Sequence, residues 1–483
     1  MSESLKNKTV RGASWSFAEQ ILTRGSNFVI GIILARLLSP TDYGLVGMLG
    51  IFLGLSQLFI DGGLTSALIR TKNPSEQDFS TVYLINVVLS VLFYFLLFFC
   101  APVIAEFYQQ PLLKPLTRVL ALVLVISSVA SIQGTLLTIR VDFKTKTYIS
   151  IIASVFSGLT GIICAYKGLG VWALVAQSLA AAAIMSFLSL LFVRWMPRLV
   201  FSKESFKRLF AYSSKLLAAS CISVIYDNSY PLAIGKRFSA ADVGQYSRAG
   251  QFPGTADSII TSALNRVAFP VLSQIQDDDK HLLQVYEKYI QLSCFLIFPL
   301  MMGLCGCAQP LVSILLKEQW MACVPLMQIL CFAKMTNGIT TINLNLLYVK
   351  GRSDLVLRLE IIKKTIAFAI LFITMFFGLK AMCYGQVLYA FLALYLNTFY
   401  TKKILGYSFK RQMCTVAPYF LLSMVVLAIA SLFTWIIHNG LIAIFISIMC
   451  CPIVYFMIAK RAGLYAYKES TTLLKNKFHI FHN

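Results

Sequence analysis

Charge is what this sequence has little of. Only 13% of its 483 residues are Asp, Glu, Lys or Arg, about half of the roughly 25% carried by a soluble domain. Acid is the scarcer sign, with 20 Asp and Glu against 42 Lys and Arg, a formal net charge of +22. Histidine is limited to His281, His438, His479 and His482, which form no cluster. Cys305 and Cys307 make a Cys-x-Cys pair, but no second pair or His stands at metal-ligand spacing. The other cysteines fall mostly inside apolar runs, where small buried side chains are the simpler reading than a disulfide framework. A phosphate-binding Gly-x-x-x-x-Gly-Lys loop is missing, which argues against ATP hydrolysis by this chain. The connections between apolar runs are short, including those near Glu106–Pro115 and Lys317–Trp320. They leave no room for the catalytic outer loop of a membrane polymerase, ligase or glycosyltransferase, so no enzyme activity is expected.

Apolar length is what the chain has in abundance. Its hydrophobic fraction is 58% and its mean hydropathy +0.75. Runs of about 20 residues, enough to span a bilayer, fall at 14–37, 44–69, 79–105, 116–139, 148–167, 171–194 and 209–234. They continue at 244–271, 288–316, 321–349, 355–378, 381–401, 414–437 and 441–459. The expected fold class is therefore an all-α polytopic membrane protein of about fourteen transmembrane helices. The first run follows a basic tail but carries Glu19 and Arg24 and lacks a small-residue cleavage site. It is expected to stay as a helix rather than leave as a signal peptide. Lys and Arg crowd alternate connections, most densely Met196–Arg208, while the opposite set holds only Arg36, Lys114, Arg118, Lys167, Lys236, Arg237, Lys317 and Lys380. This bias places both termini in the cytoplasm. The positive balance then reflects topology and attraction to anionic lipid, and implies no nucleic-acid partner.

A repeat is visible. Ser39-Pro40-Thr41-Asp42-Tyr43-Gly44 returns as Ser239-Ala240-Ala241-Asp242-Val243-Gly244, an offset of 200 that also carries Gly50 and Gly54 onto Gly250 and Gly254. Weaker echoes follow at Pro102 and Pro310, and at Gly168 and Gly378. Six segments per repeat give two lobes of the same orientation, related by an axis along the membrane normal. The expected division is 1–195 for the N-terminal lobe, 196–208 for a basic linker, 209–403 for the C-terminal lobe, and 404–483 for two further helices and a tail.

Polar stripes run along several of these helices at about 100° per residue. The first carries Ser16, Gln20, Thr23, Arg24, Asn27 and Gly31 on one face. Gln20 and Asn27 map by the repeat onto Ser220 and Asp227 of the seventh, so the stripe recurs. The second segment aligns Gly47, Gly50, Gly54, Gln57, Asp61 and Thr65. Its glycines suit close helix packing, whereas a carboxylate at Asp61 must be paired, hydrated or protonated. The eighth has two competing faces. Arg248, Gln251, Thr255, Ser262 and Arg266 form one, and Gly250, Gly254, Asp257 and Thr261 the other. Snorkelling of the two arginines is the blander alternative, and the sequence does not decide which face meets a cavity. In the tenth, Lys334, Asn337, Gly338, Thr341 and Asn345 share a face. Lys363 and Lys364, after Glu360, fit an ion pair as well as a ligand site. The interior thus leans cationic through Arg24, Arg248, Arg266 and Lys334, which suits an anion bearing phosphate. Gln20, Asn27, Asp61, Asp227, Asp257 and Asn337 would line the same interior, with the acids as candidates for ion coupling.

Val10-Arg11-Gly12-Ala13-Ser14-Trp15, the stretch Ile33-Leu34-Ala35-Arg36-Leu37-Leu38 running into Ser39–Gly44, and Asp61–Arg70 resemble the Wzx-type polysaccharide flippases. The nearest branch is that of colanic-acid and teichuronic-acid exporters. The superfamily, named MOP, also holds the lipid II flippases and the MATE drug exporters. The resemblance implies transfer of undecaprenyl-pyrophosphate-linked oligosaccharides from the cytoplasmic to the outer leaflet of a bacterial plasma membrane, by alternating access of the two lobes. It implies Arg24 and Arg266 as counterparts of cavity arginines, and membrane lipids, a polysaccharide polymerase and a chain-length regulator as partners. It implies no bound cofactor, with coupling to a H+ or Na+ gradient or to membrane potential. A MATE-like cation-coupled antiporter is the alternative, and it would favour a more acidic or aromatic cavity.

Overall fold

The computed structural model describes residues 22–198, 200–437 and 439–469. Helices fill it, and no strand occurs among the described residues. The first described helix, α1, runs over 22–37, and Ser39 and Asp42 close a capping box at the start of α2, Pro40–Asp61. Gly62 and Gly63, both at positive φ, break the chain before α3, Leu64–Arg70. Next come α4, Glu76–Tyr108, then α5, Leu113–Leu120, α6, Leu122–Ser128, and α7, Ser131–Ile139. They are followed by α8, Phe143–Tyr166, α9, Val171–Phe192, α10, Lys203–Arg237, and α11, Ala240–Gln274. The remainder is α12, Asp279–Gly306, α13, Ala308–Leu316, α14, Cys323–Met335, α15, Asn337–Val349, α16, Ser353–Thr374, α17, Leu379–Leu405, α18, Phe409–Ile436, and α19, Gly440–Arg461.

As far as the residues are described, the expected segments fall on helix; 14–21 of the first lie outside the described residues. Several are broken where one span was expected: 44–69 at the two glycines, 288–316 at Cys307, and 116–139 between α6 and α7, where the axis bends by 42°. The span at 321–349 divides at Thr336. The fourth and tenth segments are equivalent in the repeat, and both are interrupted near their middles. By length and apolar composition eight spans qualify among the described residues, Pro40–Arg70 being one of them despite its two glycines, and nine with the bent pair. The 35-residue α11 is not among them.

Why the chain folds inside out to a soluble protein is clear from α4. Val88, Leu92, Phe95, Leu96, Phe99 and Val103 are each at least half exposed on one stripe. The opposite stripe buries Asn86, Ser90, Leu97, Ala101 and Ile104. Large apolar side chains face the lipid and small or polar ones face neighbouring helices, as expected without a hydrophobic drive between helices in a bilayer. Ser90 and Ser128 share a hydrogen bond at 2.8 Å across α4 and α6.

The chain forms two compact units, Met1–Gly244 and Gln245–Asn483. In the first, α8 pairs with α9, and Ile30 and Leu34 of α1 with the following Leu38 pack on Ala165, Ala173 and Leu174. α10 lies along α2. The glycines of α2 are packing glycines, as the sequence indicated: a Cβ on Gly50 would stand 2.9 Å from Asn228 Oδ1, and one on Gly54 3.4 Å from Val224. Because α10 packs on α2, residues up to Gly244 fall in the first compact unit. The linker itself is fastened to the start of α4. Trp195 Nε1 donates to Glu76 Oε2 at 3.0 Å, the Arg198 amide to Ser80 Oγ at 3.3 Å, and the Ser202 amide to Thr81 Oγ1 at 3.0 Å.

In the second unit α12 packs on α18, and α17 on α14 and α16. A buried polar knot joins four helices. Gln412 Nε2 donates to Asn343 Oδ1 at 3.1 Å, Thr398 Oγ1 to Gln412 Oε1 at 2.8 Å, and Tyr286 OH to Asn343 Oδ1. Such bonds fix helix register because each broken one strands a buried polar group.

Candidate functional site

The repeat is chemical as well as sequential. Ser39 Oγ donates to Asp42 Oδ2 at 2.7 Å and Ser239 Oγ to Asp242 Oδ2 at 2.6 Å, with the Asp42 and Asp242 amides returning to the serines at 3.2 and 3.1 Å. Each box satisfies orphan amides at a helix start. The two starts meet reciprocally: a Cβ on Gly44 would overlap the Ala240 carbonyl oxygen, and one on Gly244 the Pro40 carbonyl oxygen.

Within the first unit the polar stripe of α1 is anchored by Asn27, whose Oδ1 accepts from Ser154 Oγ of α8 at 2.7 Å. Arg24 lies one turn earlier, half-buried. Gln20 lies outside the described residues. Asp61 ends α2 half-buried and accepts a hydrogen bond from Gln57 one turn back, its neighbour on the stripe. Asp227 is exposed on α10, while the adjacent Asn228 is the residue that meets Gly50.

The second unit resolves the two faces of α11. Asp257 is buried against α15: Asn337 Nδ2 donates to its Oδ2 at 2.8 Å and Thr261 Oγ1 to its Oδ1 at 3.0 Å. Lys334 lies near enough to act on it electrostatically. Two turns further along, Asn345 Nδ2 donates to Asn265 Oδ1 at 2.5 Å, a second rung about 12 Å from the first at 1.5 Å per residue. The Asp257 face is therefore the one held by the unit's own helices, and Arg266 is exposed. Arg248 is buried elsewhere, donating to Gln251 Oε1 with its guanidinium carbon 5.6 Å from the Trp320 ring centre. It is not brought to Asp257. Lys363, also buried, pairs with Glu360 of its own helix, which answers the question the sequence left open at that position.

Asn265 is the member sequence reading missed. It continues the Asp257–Thr261 stripe by one more turn, and extending that stripe would have found it. Arg248 shares a helical face with Arg266, but a tryptophan in the connection before α14, with no signal in the α11 pattern, gives it a packing place.

Chemically, the arrangement offers guanidinium and ammonium groups, a hydrogen-bonded carboxylate and amides along helices inside an apolar shell. Among the described residues no three His, Cys, Asp or Glu side chains converge as metal ligands would, and the cysteines there are free thiols, Cys414 being exposed. The second unit also holds an apolar groove of about 430 Å³ between α12, α18 and α19, lined by Phe295, Leu300, Val426, Ile448 and Pro452 among others.

Comparison with known proteins gives this architecture a context. The chain is 27% identical over 337 residues to the succinoglycan biosynthesis transport protein ExoT of Rhizobium meliloti, covering 69% of this chain and 68% of that one. It is 25% identical over 438 residues to the lipopolysaccharide biosynthesis protein WzxC of Escherichia coli, covering 88% of each. Among solved structures it superposes on the lipid II flippase MurJ in an inward closed conformation with TM-score 0.73 at 15% identity, over 94% of this chain and 99% of that one. An inward-facing MATE multidrug transporter of the MOP superfamily follows with TM-score 0.63 at 15% identity, over 80% and 94%. Both share the fold, which is that of a multi-pass membrane transporter. The polysaccharide biosynthesis protein model matches residues 33–325, more than half the chain, and the protein belongs to that family.

Proposed function

We propose that this protein is a flippase that carries undecaprenyl-pyrophosphate-linked oligosaccharide repeat units from the cytoplasmic to the outer leaflet of a bacterial plasma membrane, with both termini cytoplasmic. Transport proceeds by alternating access of two lobes that follow the repeat, and no chemical bond is made or broken by the chain itself. The observation that carries the reading is the polarity of α11. It is 35 residues long, about 52 Å at 1.5 Å per residue, and Arg248, Asp257, Asn265 and Arg266 interrupt its apolar residues so that it does not qualify as a lipid-facing span. Helices of that kind inside a membrane protein must line water or substrate.

In this reading Arg24 and Arg266 receive the pyrophosphate as planar forks of donors, and Lys334 contributes charge from α14. Asn27, Asp61 and Asp227 line the path. Asp257, held by Asn337 and Thr261, is the carboxylate best placed to couple transport to a cation gradient. The apolar groove of the second unit offers the prenyl tail a surface continuous with lipid. A polysaccharide polymerase and a chain-length regulator are the expected partners. Names of the relatives support this assignment through succinoglycan and lipopolysaccharide biosynthesis.

The test is deletion of the gene followed by assay of lipid-linked repeat units in oriented vesicles. Accumulation on the cytoplasmic side, with loss of surface glycan, is expected. Normal surface glycan together with altered drug efflux would replace the flippase reading with a MATE-like antiporter.

A further inference from the structure

The arginines nearest the basic linker belong to none of the stripes above, and they are organised. Arg70 is the last residue of α3, and its guanidinium carbon lies 4.4 Å from the ring centre of Tyr212 on α10. One turn before Tyr212, Arg208 donates to Asp78 at 2.5 Å. Asp78 is 1% exposed, and it also caps α4 by accepting from the Ser75 amide at 3.0 Å. Arg208 is held along one edge only, because 58% of its side chain remains exposed. Arg70 makes no hydrogen bond or ion pair to an acceptor among the described residues. Its stacking on Tyr212 fixes the plane of the guanidinium while leaving its N–H groups directed outward.

Between these groups lies a pocket of about 200 Å³ lined by Ala67, Arg70, Thr71, Arg208, Leu209 and Tyr212. At ~30 Å³ per water it holds about seven waters, the scale of a hydrated phosphate group and too small for an oligosaccharide. Its Arg208 wall is held by the bond to Asp78, near the bonds that fasten the linker to α4 through Ser80 and Thr81, both fully buried. Phe206 and Phe210 lie on the side of α10 opposite to Arg208 and Tyr212, and with Phe201 they form a row with ring centres 6.3 and 5.2 Å apart, Phe201 and Phe210 being 54% and 41% exposed. An exposed aromatic row next to Lys203 and Lys207 marks the level where a bilayer's headgroups sit.

We infer that Arg70, Arg208 and Tyr212 form a seat for the phosphate of a membrane-lipid headgroup, separate from the stripes of the proposed transport path. The two guanidinium groups take the phosphate oxygens and Tyr212 holds Arg70 flat, while the phenylalanine row marks the headgroup level. Asp78 is spent on Arg208 and on its own cap, so it does not repel the ligand. The seat stands whether or not the chain carries glycolipid.

Native mass spectrometry of the full chain in detergent provides the test, with added phosphatidylglycerol, polyprenyl pyrophosphate and phosphatidylcholine as separate probes and inorganic phosphate as competitor. Retention of the anionic lipids is expected to fall about tenfold in Arg70→Gln, since a charge-assisted hydrogen bond is lost, and less in Arg70→Lys. Phosphatidylcholine, whose choline offsets the phosphate charge, should be retained weakly by all forms. The Arg70 variants avoid the Asp78 pair and so keep the fold, which an unchanged unfolding midpoint would confirm. Equal retention in wild type and Arg70→Gln would overturn the seat. Displacement of nothing but inorganic phosphate, with lipid retention unaffected, would overturn the lipid headgroup as its occupant.

Discussion

Gly44 and Gly244 stand 200 positions apart in the sequence and on opposite sides of one contact, each pressed against a backbone carbonyl at the other's helix start, Ala240 for the first and Pro40 for the second. A carbonyl cannot rotate aside as a side chain can. Gly44→Ala and Gly244→Ala should therefore each destabilise by about 1–3 kcal/mol through overpacking, overriding the ~1 kcal/mol that alanine gains in a helix. Gly254→Ala is the internal control, because a Cβ there meets nothing within 4 Å. Unfolding midpoints in detergent should fall for the first two and hold or rise for the third.

Arg24→Ala and Arg266→Ala should abolish surface glycan while leaving membrane insertion intact, and lysine at either position should rescue only in part, because it keeps charge but loses the planar fork. Surface-glycan staining alongside immunoblots of membrane fractions gives both readouts. Wild-type glycan in both alanine variants would remove these residues from transport.

Arg248 should behave differently. It is buried against Trp320 and Gln251, so Arg248→Leu is expected to lower the amount of folded protein by leaving the Gln251 amide unpartnered, at about 1–3 kcal/mol. Export per folded molecule should persist. A variant that folds at wild-type level yet exports nothing would return Arg248 to the substrate.

Asp257 separates structure from coupling. Asp257→Asn retains a hydrogen-bonding group of the same shape toward Asn337 and Thr261, so the fold should hold within about 1 kcal/mol, while export falls at least tenfold if the carboxylate carries the coupling ion. Asp257→Leu should lose stability as well. Normal export in Asp257→Asn, measured as lipid-linked repeat units reaching the outer leaflet, would confine this residue to packing.

Much of this was legible because membrane helices announce themselves by length. The helical segments among the described residues and the duplicated Ser39 and Ser239 helix starts could be read from apolar runs and a single offset. The glycine face at Gly50 and Gly54 was legible too, since small residues one turn apart have few other uses in a bilayer. What escaped was partnership. Period alone could not say that Asp257 turns toward Asn337 while Arg266 on the same helix stays exposed, because both faces of α11 are polar and the choice is made by α15. Arg248 could not be separated from Arg266, since the separating residue, Trp320, lies in a connection with no periodicity. Nor could the pocket at Arg70 be seen, because it is assembled from the ends of helices more than 130 residues apart.

The fastening of the linker has a mechanical consequence. A segment of charged residues between two repeats reads as a slack tether, yet Trp195, Arg198, Ser202 and Arg208 are each bound to the first two turns of α4. It behaves as a strut. Any swing of α10 must either bend the helix after Arg208 or drag the start of α4 with it, so the stroke is set by bracing rather than by tether length, and loosening that brace would cost leverage before it cost stability.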